Sequence, residues 1–225
     1  MSDQLAAARS AAGHGGALSA RGVTEISLDK LLLTLRPARD SDAAAVTALV
    51  RSAWSEFPGK DLLIERDAPD LVAPATSYAA QGAAFWVVER NGRIVASIAL
   101  QPAAAGTVEL RRFYVARDMR RSGLGAFLYR LFEEAALEGG AVRVELWTDI
   151  RMEDAHRLYE RVGFARAAET RRCDETGIVR CRYVKTLAAR AKTVGADAQG
   201  APHIRPRIGG GVPAGSRWDG LPSEA

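Results

Sequence analysis

The feature that most constrains this chain is a change of periodicity within one short stretch. Thr107–Val115 (TVELRRFYV) is rich in β-branched and aromatic residues and reads as a strand. From Leu124 to Glu138 the apolar residues instead recur at helical spacing, with Leu124, Leu128, Leu131 and Ala135 on one stripe, and Gly139-Gly140 ends the run. Arg120-Arg121-Ser122-Gly123-Leu124-Gly125 carries the chain from one to the other. A strand that hands over to an amphipathic helix predicts a sheet with helices packed on it.

The flanking segments extend the pattern. Leu31–Arg36 is a short apolar run stopped by Pro37, a candidate first strand. Asp40 or Ser41 is a candidate cap for a helix through Arg51, with Ala44, Ala45, Ala48 and Leu49 on one face. A second helical segment is expected over residues 69–81, interrupted near Pro74. Ala84–Glu89 and Arg93–Leu100 flank Asn91-Gly92, a dipeptide that accepts positive φ, and so predict a hairpin. Val142–Thr148 reads as a strand, followed by a helix over about Met152–Val162 whose apolar face carries Ala155, Leu158, Tyr159 and Val162. Two closing strands are expected near Ala165–Cys173 and Ile178–Thr186.

One domain over residues 28–187 follows, between two segments of different composition. Residues 1–27 are rich in Ala, Gly and Ser, and residues 188–225 in Gly, Pro and Ala, so neither can bury enough apolar surface to offset its ordering entropy, and both read as flexible tails. The formal charge of +4 is a mild basic excess, compatible with an anionic ligand but well short of the dense basic stripe of a nucleic-acid binder. Arg190, Lys192, Arg205, Arg207 and Arg217 in the C-terminal tail leave only a weak anionic contact open. The start Met-Ser-Asp-Gln does not resemble a secretory leader, and no run reaches the roughly 18 apolar residues of a membrane span. A reducing, cytoplasmic setting is the expectation, with Cys173 and Cys181 as free thiols flanking a turn rather than a metal site.

The glycine turn admits two readings. Glycines let a ligand approach the backbone, the first amides of a helix have no internal partners, and Arg120 and Arg121 add positive charge, so a diphosphate would fit. A turn that merely reverses the chain into a helix fits as well. A P-loop is excluded by the absence of Gly-Lys-Ser/Thr, and the dinucleotide fingerprint lacks its third glycine near Leu128.

Taken together, ELRRFYVARDMRRSGLGAFLYRLFEEA, VELWTD and AHRLYERVGF resemble the GCN5-related N-acetyltransferase (GNAT) superfamily. Arg120, Gly123 and Gly125 stand at its Q/R-x-x-G-x-G/A positions, and Ala155, Leu158, Tyr159, Gly163 and Phe164 match its A-x-x-L-Y-x-x-x-G-F helix. The resemblance implies an α/β (α+β) fold: a central, mostly antiparallel, twisted sheet with one splayed, bulged strand and helices on both faces. It implies acetyl-CoA as cosubstrate, no metal, and an amine acceptor, either a small molecule or a peptide amino terminus. Neither a membrane nor nucleic acid is implied as partner, and the chain would be a monomer or homodimer. A CoA-binding module without catalysis, acting as a sensor or in assembly, is the alternative. One departure stands out: Met152 occupies the place where many relatives carry an Asn that contacts the pantetheine arm.

The resemblance also assigns roles. The cofactor would lie against Phe113, Tyr114 and Val115 and the turn residues Arg120, Arg121, Ser122, Gly123, Leu124, Gly125 and Ala126, with the Val115 N–H toward the thioester oxygen. The spacing of Leu110 and Phe113 fits a bulge in this strand, although a sheet buried on both faces would give the same pattern. Tyr159 would stand beside the sulfur as proton or hydrogen-bond donor; its plainer reading is part of the helix's apolar face. Glu109 is the candidate base, or a surface carboxylate paired with Arg111. For the acceptor, Trp54 with Glu56 and Phe57 follows the first helix, while Asp149 and Arg151 suit an ammonium and a carboxylate, or else a helix cap and a solvated cation.

Overall fold

The computed structural model describes residues 22–28, 31–57, 63–172 and 178–188. Among them the strands are β1 (Thr24–Leu28), β2 (Leu31–Pro37), β3 (Ala84–Arg90), β4 (Arg93–Ala104), β5 (Thr107–Val115), β6 (Arg143–Asp149), β7 (Ala165–Arg172) and β8 (Val179–Thr186). The principal helices are α1 (Ala43–Trp54), α2 (Pro74–Ala79), α3 (Leu124–Glu138) and α4 (Glu153–Arg161). The strands form one mixed sheet in the order β1-β2-β3-β4-β5-β6-β8-β7. Every pair is antiparallel except β5–β6, which run parallel and stay in register only from Thr107–Arg143 to Glu109–Glu145.

Alternation along the strands sends side chains to two cores. Trp86, Val88, Leu110, Val144 and Leu146 meet Leu124, Leu128 and Phe132 of α3 on one face. Phe85, Val87 and Ala99 meet Val46, Leu49, Val50 and Trp54 of α1 and Tyr78 of α2 on the other. The β3–β4 turn has both Asn91 (φ 51°) and Gly92 (φ 75°) in the left-handed region, the geometry that matches the twist of a two-residue hairpin.

Three expectations are corrected. The sheet begins at Thr24, inside the segment read as an N-terminal tail: Ile26 is buried opposite Leu33, and one buried residue in a five-residue strand is too weak a period to see in sequence. The buried face of α1 is Val46, Leu49, Val50 and Trp54, while Ala44, Ala45 and Ala48 are exposed. Each buried methylene is worth about 0.8 kcal/mol, so the helix turns its larger side chains inward. No side chain of Asp40 or Ser41 caps it; Asp42 accepts the Arg39 amide (2.7 Å) and is clamped by Arg36. Cys173 and the arginines beyond residue 188 lie outside the described residues. Among those described, no helix is long and apolar enough to cross a membrane.

Candidate active site

The site is made by a defect in β5. Its register against β4 shifts between Ser97–Tyr114 and Ala99–Arg111, which places one extra residue on β5 opposite Ile98. The bulge leaves Arg112 at φ 47°, a left-handed conformation that costs a non-glycine residue on the order of 1–2 kcal/mol. Two contacts offset the cost. The Ser97 hydroxyl donates to the Arg112 carbonyl (2.7 Å), and the buried Arg112 guanidinium forms a two-pronged ion pair with Asp70, which also accepts from the Tyr78 hydroxyl (2.9 Å). Leu110 and Phe113 therefore both face α3, and Arg111 and Arg112 are the consecutive residues that share the opposite face.

The bulge also aims the backbone. The Ala116 amide donates to Val95 (2.8 Å), so Ala96–Val115 is a non-hydrogen-bonded pair and both polar groups of Val115 point away from β4. Its carbonyl accepts from Arg120 Nε (3.2 Å). Its N–H opens on a space that β6 has left, since β6 parts from β5 beyond Glu109.

That space is a cleft of about 720 Å³. At one end Gly123 (φ 86°) starts α3, and no backbone carbonyl among the described residues accepts from the amides of Arg121, Gly123, Gly125 or Ala126. A Cβ on Gly125 would lie 3.4–3.9 Å from Leu158, Phe113 and Val115, ordinary van der Waals contact, so α3, β5 and α4 meet around this position. Arg121 (φ 62°) lines the cleft without an ion pair among the described residues. Arg120 differs from its expected part: its guanidinium is held by both carboxylate oxygens of Glu56 (2.6 and 2.8 Å), which keeps Glu56 below the usual carboxylate range and neutralises much of the charge. Ser122 and Leu124 are not in the cleft wall; the Ser122 hydroxyl donates to the Met119 carbonyl (2.8 Å) and Leu124 is fully buried.

Tyr159 reaches the cleft from α4, packed among Phe113, Phe164 and Tyr183 with ring centroids 5.7–6.5 Å away. Its hydroxyl makes no hydrogen bond among the described residues, and burial raises its pKa well above that of free tyrosine, so it holds its proton throughout the neutral range. Glu109 lies where β5 and β6 part. Burial raises its pKa, against the pull of Arg111, whose Nε is 3.9 Å away, too far for a strong pair.

The three proposed acceptor residues all line the cleft but are engaged with one another or their neighbours. Trp54 Nε1–H donates to the Tyr114 hydroxyl (3.1 Å). Asp149 accepts from the Arg151 amide, Nε and Nη2 at 2.9–3.1 Å, and the Arg151 guanidinium lies 5.4 Å from the Phe57 ring centroid. Met152 also lines the wall, an apolar surface in place of an amide. His156 is not among the residues of the cleft wall; its Nε2–H donates to the Asp149 carbonyl (3.0 Å), and burial lowers its pKa. Sequence reasoning missed Arg180 in the wall; the signal was the alternation in VRCRYVKT, which sets Arg180 and Arg182 on one polar face. It also missed the Asp70–Arg112 pair, 42 residues apart in the chain, for which no local pattern exists.

Comparison with known proteins agrees with this geometry. Residues 46–164 match the model of the acetyltransferase (GNAT) family. The chain belongs to that family. Its sheet and helices follow the GNAT arrangement. A probable N-acetyltransferase of Xenopus tropicalis, camello, is 33% identical over 131 residues, covering 55% of this chain and 58% of that protein. The aminoalkylphosphonate N-acetyltransferase of Salmonella typhimurium is 30% identical over 135 residues, covering 58% of this chain and 83% of that one. The chain spans little more than half the length of several curated relatives, 58% and 57% for two from Xenopus tropicalis. Among solved structures, a GNAT acetyltransferase of Staphylococcus aureus Mu50 superposes with a TM-score of 0.61 at 18% identity, over 69% of this chain and 99% of that one. At that identity the likeness speaks for the fold alone.

Proposed function

We propose that this GNAT acyltransferase moves an acetyl group from acetyl-CoA to the amine of a small molecule or a peptide amino terminus, by direct attack on the thioester. The observation that carries the reading is the opening between β5 and β6, with the Val115 N–H facing into it, the glycine-turn amides at one end and Glu109 at the other. The fit to the cosubstrate is chemical. Unpartnered amides at a helix start with Arg121 beside them suit a diphosphate, and a narrow gap edged by strand polar groups suits an amide-bearing arm. When bound, acetyl-CoA supplies an activated acyl group.

The chain's own residues supply the rest. The Val115 N–H donates to the carbonyl oxygen as negative charge grows there. The Tyr159 hydroxyl faces the departing sulfur. A free phenol and a free thiol differ by about 1.5 pKa units, or roughly 2 kcal/mol, and burial widens the gap from the phenol side, so Tyr159 stabilises the thiolate by a hydrogen bond more than by full proton transfer. Glu109 receives the proton of the attacking amine, directly or through water; its raised pKa narrows a mismatch of about 6 units between carboxylate and alkylammonium. Initial rates of CoA thiol release over a panel of amines test this. Release that depends on the amine supports it, whereas acetyl-CoA binding without release for any amine supports the non-catalytic module instead.

A further inference from the structure

The acceptor end of the cleft carries a charge that the proposed chemistry does not use. On the α1 face, α1 packs mainly over β4 and β5, so the strands beyond them present a polar floor to the cleft. Its ion pairs nearly all close internally. Glu145 and Glu169 hold Arg182, Asp149 holds Arg151, and Asp70 holds Arg112. Arg180 of β8 stands apart: it is half-buried and lines the cleft, and its side chain makes no hydrogen bond or ion pair among the described residues. Asp67, within electrostatic reach of it, is already taken by Arg66 and the Leu63 amide.

Register places this cation relative to Glu109. Glu109 is level with Glu145 on β6, and Arg180 is level with Asp149, four residues further along β6 and one more strand across. Two strand spacings by four residues put the two Cα atoms about 16 Å apart. All four positions share the α1 face, because Leu110, Val144 and Leu146 face α3 and side chains alternate. Both side chains line the same cleft, with Trp147 of β6 on the floor between them and the Arg171 guanidinium 4.5 Å from its ring centroid.

Building on the acetyltransfer reading, the geometry points to an acceptor that carries an acid beside its amine: Arg180 binds the carboxylate of a free amino acid, or an equivalent anion, while its amine meets Glu109. An unpaired, half-buried guanidinium is a geometric match for such a group, and the bond it forms is charge-assisted. A neutral or cationic amine would leave Arg180 unsatisfied and bind more weakly.

The test compares free L-amino acids with their amides, simple alkylamines and an alanine-leading peptide amide, all with acetyl-CoA. The expected result is a KM for the acid lower than for its amide by roughly tenfold to a hundredfold. Arg180→Gln should erase that preference, and Arg180→Lys should keep part of it. Protection against thermal unfolding by the N-acetyl amino acid, a readout that needs no turnover, should be lost in R180Q. Amides or alkylamines used as well as acids would overturn the acid-bearing acceptor and leave the acetyltransferase reading standing. So would an acid preference that survives R180Q unchanged. No CoA release with any amine would overturn both.

Discussion

The bulge in β5 should behave as a locked defect, and Arg112 is where the lock can be opened. Arg112→Ala removes a guanidinium from a carboxylate that is almost as buried, side-chain exposure being 9% for Arg112 and 13% for Asp70. Left with Tyr78 as its remaining side-chain donor, Asp70 becomes an under-compensated buried charge, a loss of about 3–5 kcal/mol. Arg112→Gly loses the same ion pair but suits φ 47° better, because glycine enters the left-handed region without a Cβ penalty. In an ordinary strand Gly is less stable than Ala by roughly 0.5–1 kcal/mol; here the order should reverse, with R112G more stable than R112A by about 1 kcal/mol.

Urea unfolding of the two variants and the parent measures both quantities, with unchanged m values confirming that the compared states are alike. Both variants should also lose activity, since a bulge that relaxes lets β5 slip by one residue and exchange the faces of Phe113 and Tyr114. If R112A were the more stable of the two, or cost under about 1 kcal/mol, the ion pair would not hold the bulge and the reasoning would fail.

Tyr159→Phe should lower kcat by roughly 10²-fold or more while the KM for acetyl-CoA holds, read by steady-state kinetics; full activity would remove the assigned role. Glu109 must be ionised to accept a proton, so kcat/KM should rise with pH through a midpoint above the ordinary carboxylate value of about 4.3, and Glu109→Gln should abolish that limb. Because a raised carboxylate pKa gives stability below the unfolded value that is lost as pH rises, E109Q should be no less stable than the parent at neutral pH, checked by urea unfolding. Gly123→Ala forces a Cβ at φ 86° and should weaken acetyl-CoA binding in calorimetry more than it lowers the melting temperature, since the space beside that position is open, with Leu28 3.9 Å away.

Local chemistry was the legible part. Asn91-Gly92 marked the hairpin, the helical stripe marked α3 with its observed ends, and RRSGLG marked the turn between strand and helix, because each depends on residues adjacent in the chain. The face of α1 was misjudged because counting small apolar residues ignored volume; Trp54 and Val50 outweigh three alanines. The bulge left a trace in the spacing of Leu110 and Phe113, but its restraints come from Asp70 and Ser97, which sequence cannot join to Arg112. Arg120 shows the same limit: its place in the motif was readable, its bond to Glu56 64 residues away was not.

The division between what was readable and what was not follows the two sides of β5. On the α3 side, Phe113 and Val115 pack against α3 and α4, and the proposed binding groups are backbone amides whose direction follows from the bulge and the glycines. Such groups tolerate exchange of side chains, so a motif can carry them. On the α1 side the groups are side chains, Glu109, Arg111 and Arg180, drawn from β5 and β8 and set beside ion pairs such as Arg182–Glu145 that join neighbouring strands. A single substitution there shifts the charge balance without disturbing a backbone hydrogen bond. The same framework can hold one cosubstrate while its acceptor changes, which is why the acceptor has to be inferred from unpaired charge in the folded chain and not from the motif.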